Sequence, residues 1–194
     1  MGSPIELQIY SDASHGSTTD IPHATRGYIT PLAGGAITWT SKKIKTAICL
    51  SSTEAEYIAA SEAVSEIMWL TNLLQHMNIK HKVPILLVDN QPSIHIMNNR
   101  VKHSKTKHVV LRRHLVREHI ANGELNLEYV NTGFQSPNIL TKVLTKAPFD
   151  NIVSRVMTKL DQDFRGYVEQ SVRPSQSLFM HARRISQRHV GFVF

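Results

Sequence analysis

Apolar and polar positions change their period several times along the chain, and each change marks an element. Residues 5–10 (IELQIY) alternate apolar with polar, as a half-buried strand does. The polar residues 15–23 read as loop. Residues 27–32 and 36–40 alternate again around Gly34-Gly35, which predicts a hairpin turning on those glycines and puts Trp39 on a sheet face or in the core. A short basic link of Lys42, Lys43 and Lys45 leads to the apolar piece 47–50. From Ser51 the period becomes helical. Ala63, Ile67, Leu70, Leu74 and Met77 recur at spacings of four, three, four and three, with no Gly or Pro in residues 51–77. Residues 85–88 (ILLV) are a continuous apolar run, a fully buried strand ending in Asp89-Asn90. A helix follows over 92–98 with Asp89 or Asn90 as its N-cap. A basic helix over 107–121 is closed by Asn122-Gly123. Leu125, Leu127 and Tyr129 alternate as a last strand. Ser136-Pro137 predicts a helix start, with Ser136 as N-cap and Pro137 at the first helical position. That helix carries Ile139, Leu140, Val143 and Leu144 until Pro148 breaks it, and 149–160 is a short amphipathic piece. An initial meander followed by alternating helix and strand implies an α/β chain, a mixed sheet with helices on its faces. Residues 1–160 read as one domain. Residues 161–194 are a basic tail without repeat or motif, an arm or a segment that docks on a protein partner.

Charge sharpens the choice of partner. The 194 residues carry a formal net charge of +7 and a sequence pI near 9.7, which favours polyanions. Arg100, Lys102, Lys105, Lys107, Arg112, Arg113 and Arg117 stand in one short region against Glu118 alone, interspersed with His103, His108, His114 and His119. Two readings fit that region: a solvated helix face, or a surface for phosphates. The single cysteine, Cys49, excludes an internal disulfide and reads as a buried thiol between Ile48 and Leu50. Such cysteine usage suits an intracellular compartment, cytoplasmic or nuclear. There is no signal-peptide pattern and no apolar run of membrane-spanning length, so a membrane is not an expected partner. The histidine pairs lack the further cysteines of a structural zinc site, and Ser51 and Ser52 lack a Gly-x-Ser-x-Gly elbow.

Three acids fall where buried elements end: Asp12 after the first strand, Glu56 or Glu54 at the start of the long helix, and Asp89 after the buried fourth strand. Each has a local explanation. Asp12 can begin a turn. Glu54 and Glu56 both fit capping boxes, with Ser51 and Thr53, at the positive end of the helix dipole. If the first and fourth strands are neighbours, however, Asp12 and Asp89 face one cleft, and the helix adds a glutamate. Carboxylates so placed repel one another unless cations bind them. Hard ions such as Mg²⁺ or Mn²⁺ suit such oxygen ligands.

Several motifs together resemble the ribonuclease H domain of copia-type LTR retrotransposons. They are Tyr10-Ser11-Asp12-Ala13, Gly27-Tyr28, Trp39-Thr40-Ser41-Lys42-Lys43, Ser51-Ser52-Thr53-Glu54-Ala55-Glu56-Tyr57-Ile58-Ala59, Asp89-Asn90, Lys107-His108, His114-Leu115-Val116-Arg117-Glu118 and the run from Gln135 to Lys142. The serine–threonine–glutamate run is the most specific, and the match covers roughly residues 5–160. The resemblance implies an RNase H-like fold, a five-stranded mixed sheet flanked by helices. It also implies four acidic ligands for two Mg²⁺ or Mn²⁺ ions and cleavage of the RNA strand of an RNA–DNA hybrid. Asp12, Glu56 and Asp89 take three of the ligand positions, which leaves Glu54 to the cap. The fourth falls on Asn138, where the family pattern has Asp. An amide oxygen brings no net charge, so hydrolysis is expected to be weakened or lost while hybrid binding is retained. Val110 and Val143 depart from the pattern as well. Backbone contacts are expected from Lys42, Lys43, Lys45, Lys105, Lys107, Arg112 and Arg113. His108 either touches substrate or is part of a solvated helix start. The alternatives are an inactive domesticated copy used as a protein-interaction module, and a nuclease still active with Asn138.

Overall fold

The computed structural model describes residues 4–14, 24–44, 51–98 and 107–157, with the backbone alone for 107–113. Among these, five strands form one mixed sheet in the order β3-β2-β1-β4-β5. β1 (Gln8–Ser14), β2 (Thr25–Leu32) and β3 (Gly35–Lys43) make the antiparallel meander. β4 (Ile85–Val88) runs parallel to β1, and β5 (Asn126–Tyr129) runs parallel to β4. Parallel neighbours need crossovers, and helices supply them. α1 (Ser52–His76) leads into β4, while α2 (Gln91–Asn98) and α3 (Lys107–Ala121) lie between β4 and β5. This is the five-stranded α/β architecture that the resemblance implies.

Alternation along the strands splits the core in two. Leu7, Ile9, Leu86 and Val88 pack beneath Ala63, Val64, Ile67, Leu70 and Leu74 of α1, with Met97 of α2 and Val116 of α3. Ile29 points to the opposite face and meets Ile139 and Leu140 of α4 (Asn138–Thr141) and Ile152 and Val156 of α5 (Lys146–Val156). Two polar contacts set α1 along β2: Arg26 Nε donates to Glu62 Oε2 at 2.5 Å, and Tyr28 Oη donates to Glu66 Oε2 at 3.1 Å. Two steps on the strand match one turn on the helix, so the pairs fix its direction and register.

The element ends show where local pattern prevailed. Ser51 caps α1 by accepting the Glu54 amide at 3.2 Å. Asn78 (φ 55°) then closes that helix, and Gly123 (φ 70°) closes α3 with amide bonds back to the last turn. Other expectations are corrected. β1 does not stop at Tyr10; it continues through Asp12 to Ser14 because β2 goes on pairing with it, whereas Ile5 makes only an isolated bridge to His81. The hairpin turns on Ala33-Gly34, both left-handed, and Gly35 opens β3. Met77 is exposed at the end of α1. The helix expected over 136–148 is only α4: Pro137, not Ser136, is its N-cap, it ends at Thr141, and Val143 is exposed. Pro148 breaks nothing. It lies in the first turn of α5, where amides have no intrahelical acceptor. Lys45, Cys49, Lys105, His103, the pieces 15–23 and 47–50, and the tail 161–194 lie outside the described residues, as do the side chains of Lys107, His108, Val110, Arg112 and Arg113.

Candidate metal centre

Three carboxylates converge where β4 stops. The parallel ladder between β1 and β4 ends on the pair Ser11–Val88, so Asp12 and Asp89 are the next residues on adjacent strands, past the last paired rung. β1 is still held there by β2 through the pair Asp12–Gly27. Asp89 is not spent as a cap, because Asn90 caps α2 in its place, where its Oδ1 accepts the Ser93 amide at 2.8 Å. Glu56 comes from the first turns of α1, one turn inside the capped end, and is buried. One ligand atom from each of Asp12, Glu56 and Asp89 lies within 4.8 Å of the others. The cleft inferred from the sequence therefore exists, and Glu56 rather than Glu54 enters it.

Burial and mutual repulsion dominate the electrostatics. Glu56 is pushed up to about 9, by loss of solvent first and then by Asp12 and Asp89; the Ala13 amide and the Lys142 ammonium oppose this. Asp12, which is fully buried, is raised for the same first reason, against the pull of Lys142 and of the Thr141 hydroxyl, with Asp89 adding to the rise. Glu56 Oε2 is buried and has no hydrogen-bond partner. A buried carboxylate oxygen without a donor is costly, and an oxygen-seeking cation would satisfy it. The donor set, three carboxylates from three separate elements, fits a hard divalent ion such as Mg²⁺ or Mn²⁺.

Asn138 lies beside this cluster. It is buried, its Nδ2 donates to the Thr132 carbonyl at 3.0 Å, and its Oδ1 accepts from Lys142 Nζ at 2.8 Å. The same ammonium donates to Asp12 Oδ1 at 2.9 Å, and Thr141 Oγ1 donates to Asp12 Oδ2. Neither Thr141 nor Lys142 was assigned a role from sequence, although both belong to the run from Gln135 to Lys142; the four-residue step from Asn138 to Lys142 was the available signal. Gln135 is a second omission. It is fully buried, and its Nε2 donates to the Ser11 carbonyl at 2.7 Å, tying down the backbone next to Asp12. Gly27 is a third. A Cβ there would stand 2.9 Å from Thr141 Cγ2 and 3.1 Å from the Thr40 carbonyl, so only glycine lets α4 approach Asp12 this closely. Of the expected backbone-contacting cations, Lys42 and Lys43 are exposed on β3. They pair with Arg26 and Thr25, one and two rungs beyond the rung Asp12–Gly27–Ser41.

No family model matches the chain. The chain is 35% identical over 149 residues to the retrovirus-related Pol polyprotein from transposon TNT 1-94 of Nicotiana tabacum, a match covering 77% of this chain and 11% of the relative. It is 35% identical over 156 residues to the corresponding polyprotein from transposon RE1 of Arabidopsis thaliana, covering 80% and 11%. A stretch of 66 residues, 34% of this chain, is 59% identical to the putative transposon Ty5-1 protein YCL074W of Saccharomyces cerevisiae and covers 21% of it. The chain thus spans about 11% of the length of the first two relatives. Among solved structures, the N-terminal RNase H domain of rv2228c from Mycobacterium tuberculosis superposes with a TM-score of 0.51 at 16% identity, over 77% of this chain and 96% of that one. Prototype foamy virus protease–reverse transcriptase gives a TM-score of 0.52 at 13% identity, over 80% and 20%. These two likenesses concern the fold.

Proposed function

We propose that this chain is a ribonuclease H-like domain related to the Pol polyproteins of copia-type retrotransposons, that it binds RNA–DNA hybrid, and that it holds Mg²⁺ or Mn²⁺ on Asp12, Glu56 and Asp89, with hydrolysis of the RNA strand weakened by Asn138. The observation that carries this reading is the convergence of three acids within 4.8 Å, one of them with a buried oxygen that has no donor. Bound in pairs, divalent ions activate water and stabilise the leaving oxygen of a phosphodiester. The chain's own residues do the rest. Asp12, Glu56 and Asp89 supply the ligand oxygens, and Gln135 and Thr141 keep Asp12 in place. Asn138 offers an amide oxygen without charge where a fourth carboxylate would strengthen cation binding. Lys42 and Lys43 stand on the edge strand β3, where a backbone leaving the cleft would meet them. Such contacts are sequence-independent, and selection of hybrid would rest on the 2′-hydroxyls of one strand.

Binding and cleavage are measured side by side. Fluorescence anisotropy with labelled hybrid should show affinity falling steeply with salt, and Lys42→Ala should reduce the slope of log K against log salt by about 1. Cleavage in Mg²⁺ or Mn²⁺ should be weak and should rise at least about tenfold in Asn138→Asp, the scale associated with disturbed metal sites. Strong cleavage by the unaltered chain, abolished by Asp12→Asn, would remove the impairment. Salt-independent or absent hybrid binding would remove the nucleic-acid reading.

A further inference from the structure

Lys142 is the one ammonium shown inside the acidic cluster among the described residues, and its position is specific. It follows α4 directly as that helix's C-cap, and its amide is bonded to the Asn138 carbonyl at 3.0 Å. The side chain then folds back so that Nζ donates at once to Asp12 Oδ1, 2.9 Å away, and to Asn138 Oδ1, 2.8 Å away. An ammonium held between two oxygen ligands presents a compact point charge with donors, much as a small hydrated cation would. In the same cluster Glu56 Oε2 is buried with no hydrogen-bond partner. The cluster therefore holds one carboxylate already paired with an ammonium from within the chain and another with an oxygen left unsatisfied.

We propose that Lys142 Nζ is a tethered cation that occupies the position between Asp12 and Asn138, so that this chain takes up one divalent ion, among Asp12, Glu56 and Asp89, instead of two. The inference rests on the reading that the acidic cluster holds a divalent ion. Its physical basis is competition. A divalent ion between Asp12 and residue 138 would have to displace an ammonium that is already bonded there. It would gain one carboxylate and an amide dipole, where two carboxylates would have offered a second full charge. The ammonium also costs no entropy of capture from solution, because four methylenes and the α4 backbone already hold it near its partners. Asn138 and Lys142 thus act together: the amide removes the charge that would favour the ion, and the lysine fills the position.

Mn²⁺ binding to the full chain, followed by electron paramagnetic resonance of the free ion and by calorimetry, tests this without reference to cleavage. The unaltered protein should bind one Mn²⁺ per chain. Lys142→Met should bind two, Lys142→Arg should remain at one, and Asp12→Asn should lose binding. Lys142 is partly exposed, with 37% of its side chain accessible, so its replacement leaves the core intact. A second readout uses stability. Without divalent ions, Lys142→Met should melt below the unaltered protein, and Mn²⁺ should raise its Tm by more than it raises that of the unaltered protein. Two ions in the unaltered chain, one ion in Lys142→Met, or equal ion-free Tm values would each overturn the tethered cation while leaving the metal centre standing. Failure of every form to bind Mn²⁺, or unchanged binding in Asp12→Asn, would overturn the metal centre and this inference with it.

Discussion

Glu56 shows how one side chain can look ordinary in sequence and extreme in place. Its spacing from Thr53 fits a cap acid, yet the cap of α1 is made by Ser51 and the Glu54 amide. Glu56 is one turn further in, buried, and faces Asp12 and Asp89. Its carboxyl is a liability to the fold in the absence of cations, since charge there is both desolvated and repelled. Replacing it with the neutral isostere should therefore stabilise the ion-free protein near pH 8. Glu56→Gln is expected to gain about 1 kcal/mol, roughly 2–4 °C in Tm for a chain of this size. The same variant should bind Mn²⁺ less tightly by at least about tenfold. Thermal melts with and without Mn²⁺ check both; a lower ion-free Tm would mean that Glu56 is not an uncompensated charge.

A single rung of the sheet, Asp12–Gly27–Ser41, is the seat of α4. Thr141 donates to Asp12, Thr141 and Leu140 lie over Gly27, and Ser41 Oγ donates to the Leu140 carbonyl at 2.7 Å. The helix is only four residues long and cannot hold itself together by propagation, so its position comes from this docking. Adding a methyl at Gly27 should push it away. Gly27→Ala is expected to cost about 1–3 kcal/mol by overpacking. Gly133→Ala, whose Cβ would meet nothing closer than Asn131 Oδ1 at 3.4 Å, should stay within about 0.5 kcal/mol. Urea unfolding midpoints compare the two, and equal midpoints would show that the close approach is not required. The same rung explains which elements could be read in advance. α1, β4 and the αL closure at Gly123 follow local period and local conformation. α4 does not: the apolar spacing and Pro148 predict a helix running on past Leu144, whereas it ends at Thr141 and Lys142 turns back toward Asp12.

At the scale of the molecule the cluster makes stability depend on pH and on cations. Glu56 ordinarily titrates near 4.5 and is pushed up to about 9 in the fold. The folded chain thus holds a proton that the unfolded chain has released. The stability linked to that proton is complete below about 4.5 and is lost as pH rises toward about 9. Asp12, raised as well, acts in the same direction. In ion-free buffer the urea midpoint should therefore fall between about pH 5 and pH 9. Saturating Mn²⁺ should flatten the fall, because an ion that binds only the folded state adds stability by mass action and favours the ionised carboxyls. An ion-free midpoint that rises across that range would contradict the reading of the cluster.

Much of this protein was decided along the chain itself. The order of strands and helices, the mixed sheet and the candidacy of Asp12 and Asp89 follow from residue type and spacing over short stretches. Those are the distances at which backbone hydrogen bonding and apolar period act. Spacing alone left the cap between Ser51 and Thr53 and the helix ligand between Glu54 and Glu56, and the family resemblance pointed to Glu56. Tertiary structure alone decided that β1 runs past Asp12 and that Gly27 admits α4. It alone brought the Lys142 ammonium between Asp12 and Asn138. Each of these joins residues far apart in the chain through a contact whose sign depends on distance, burial and the charges already present. A string of residues holds none of those three quantities until the sheet has closed.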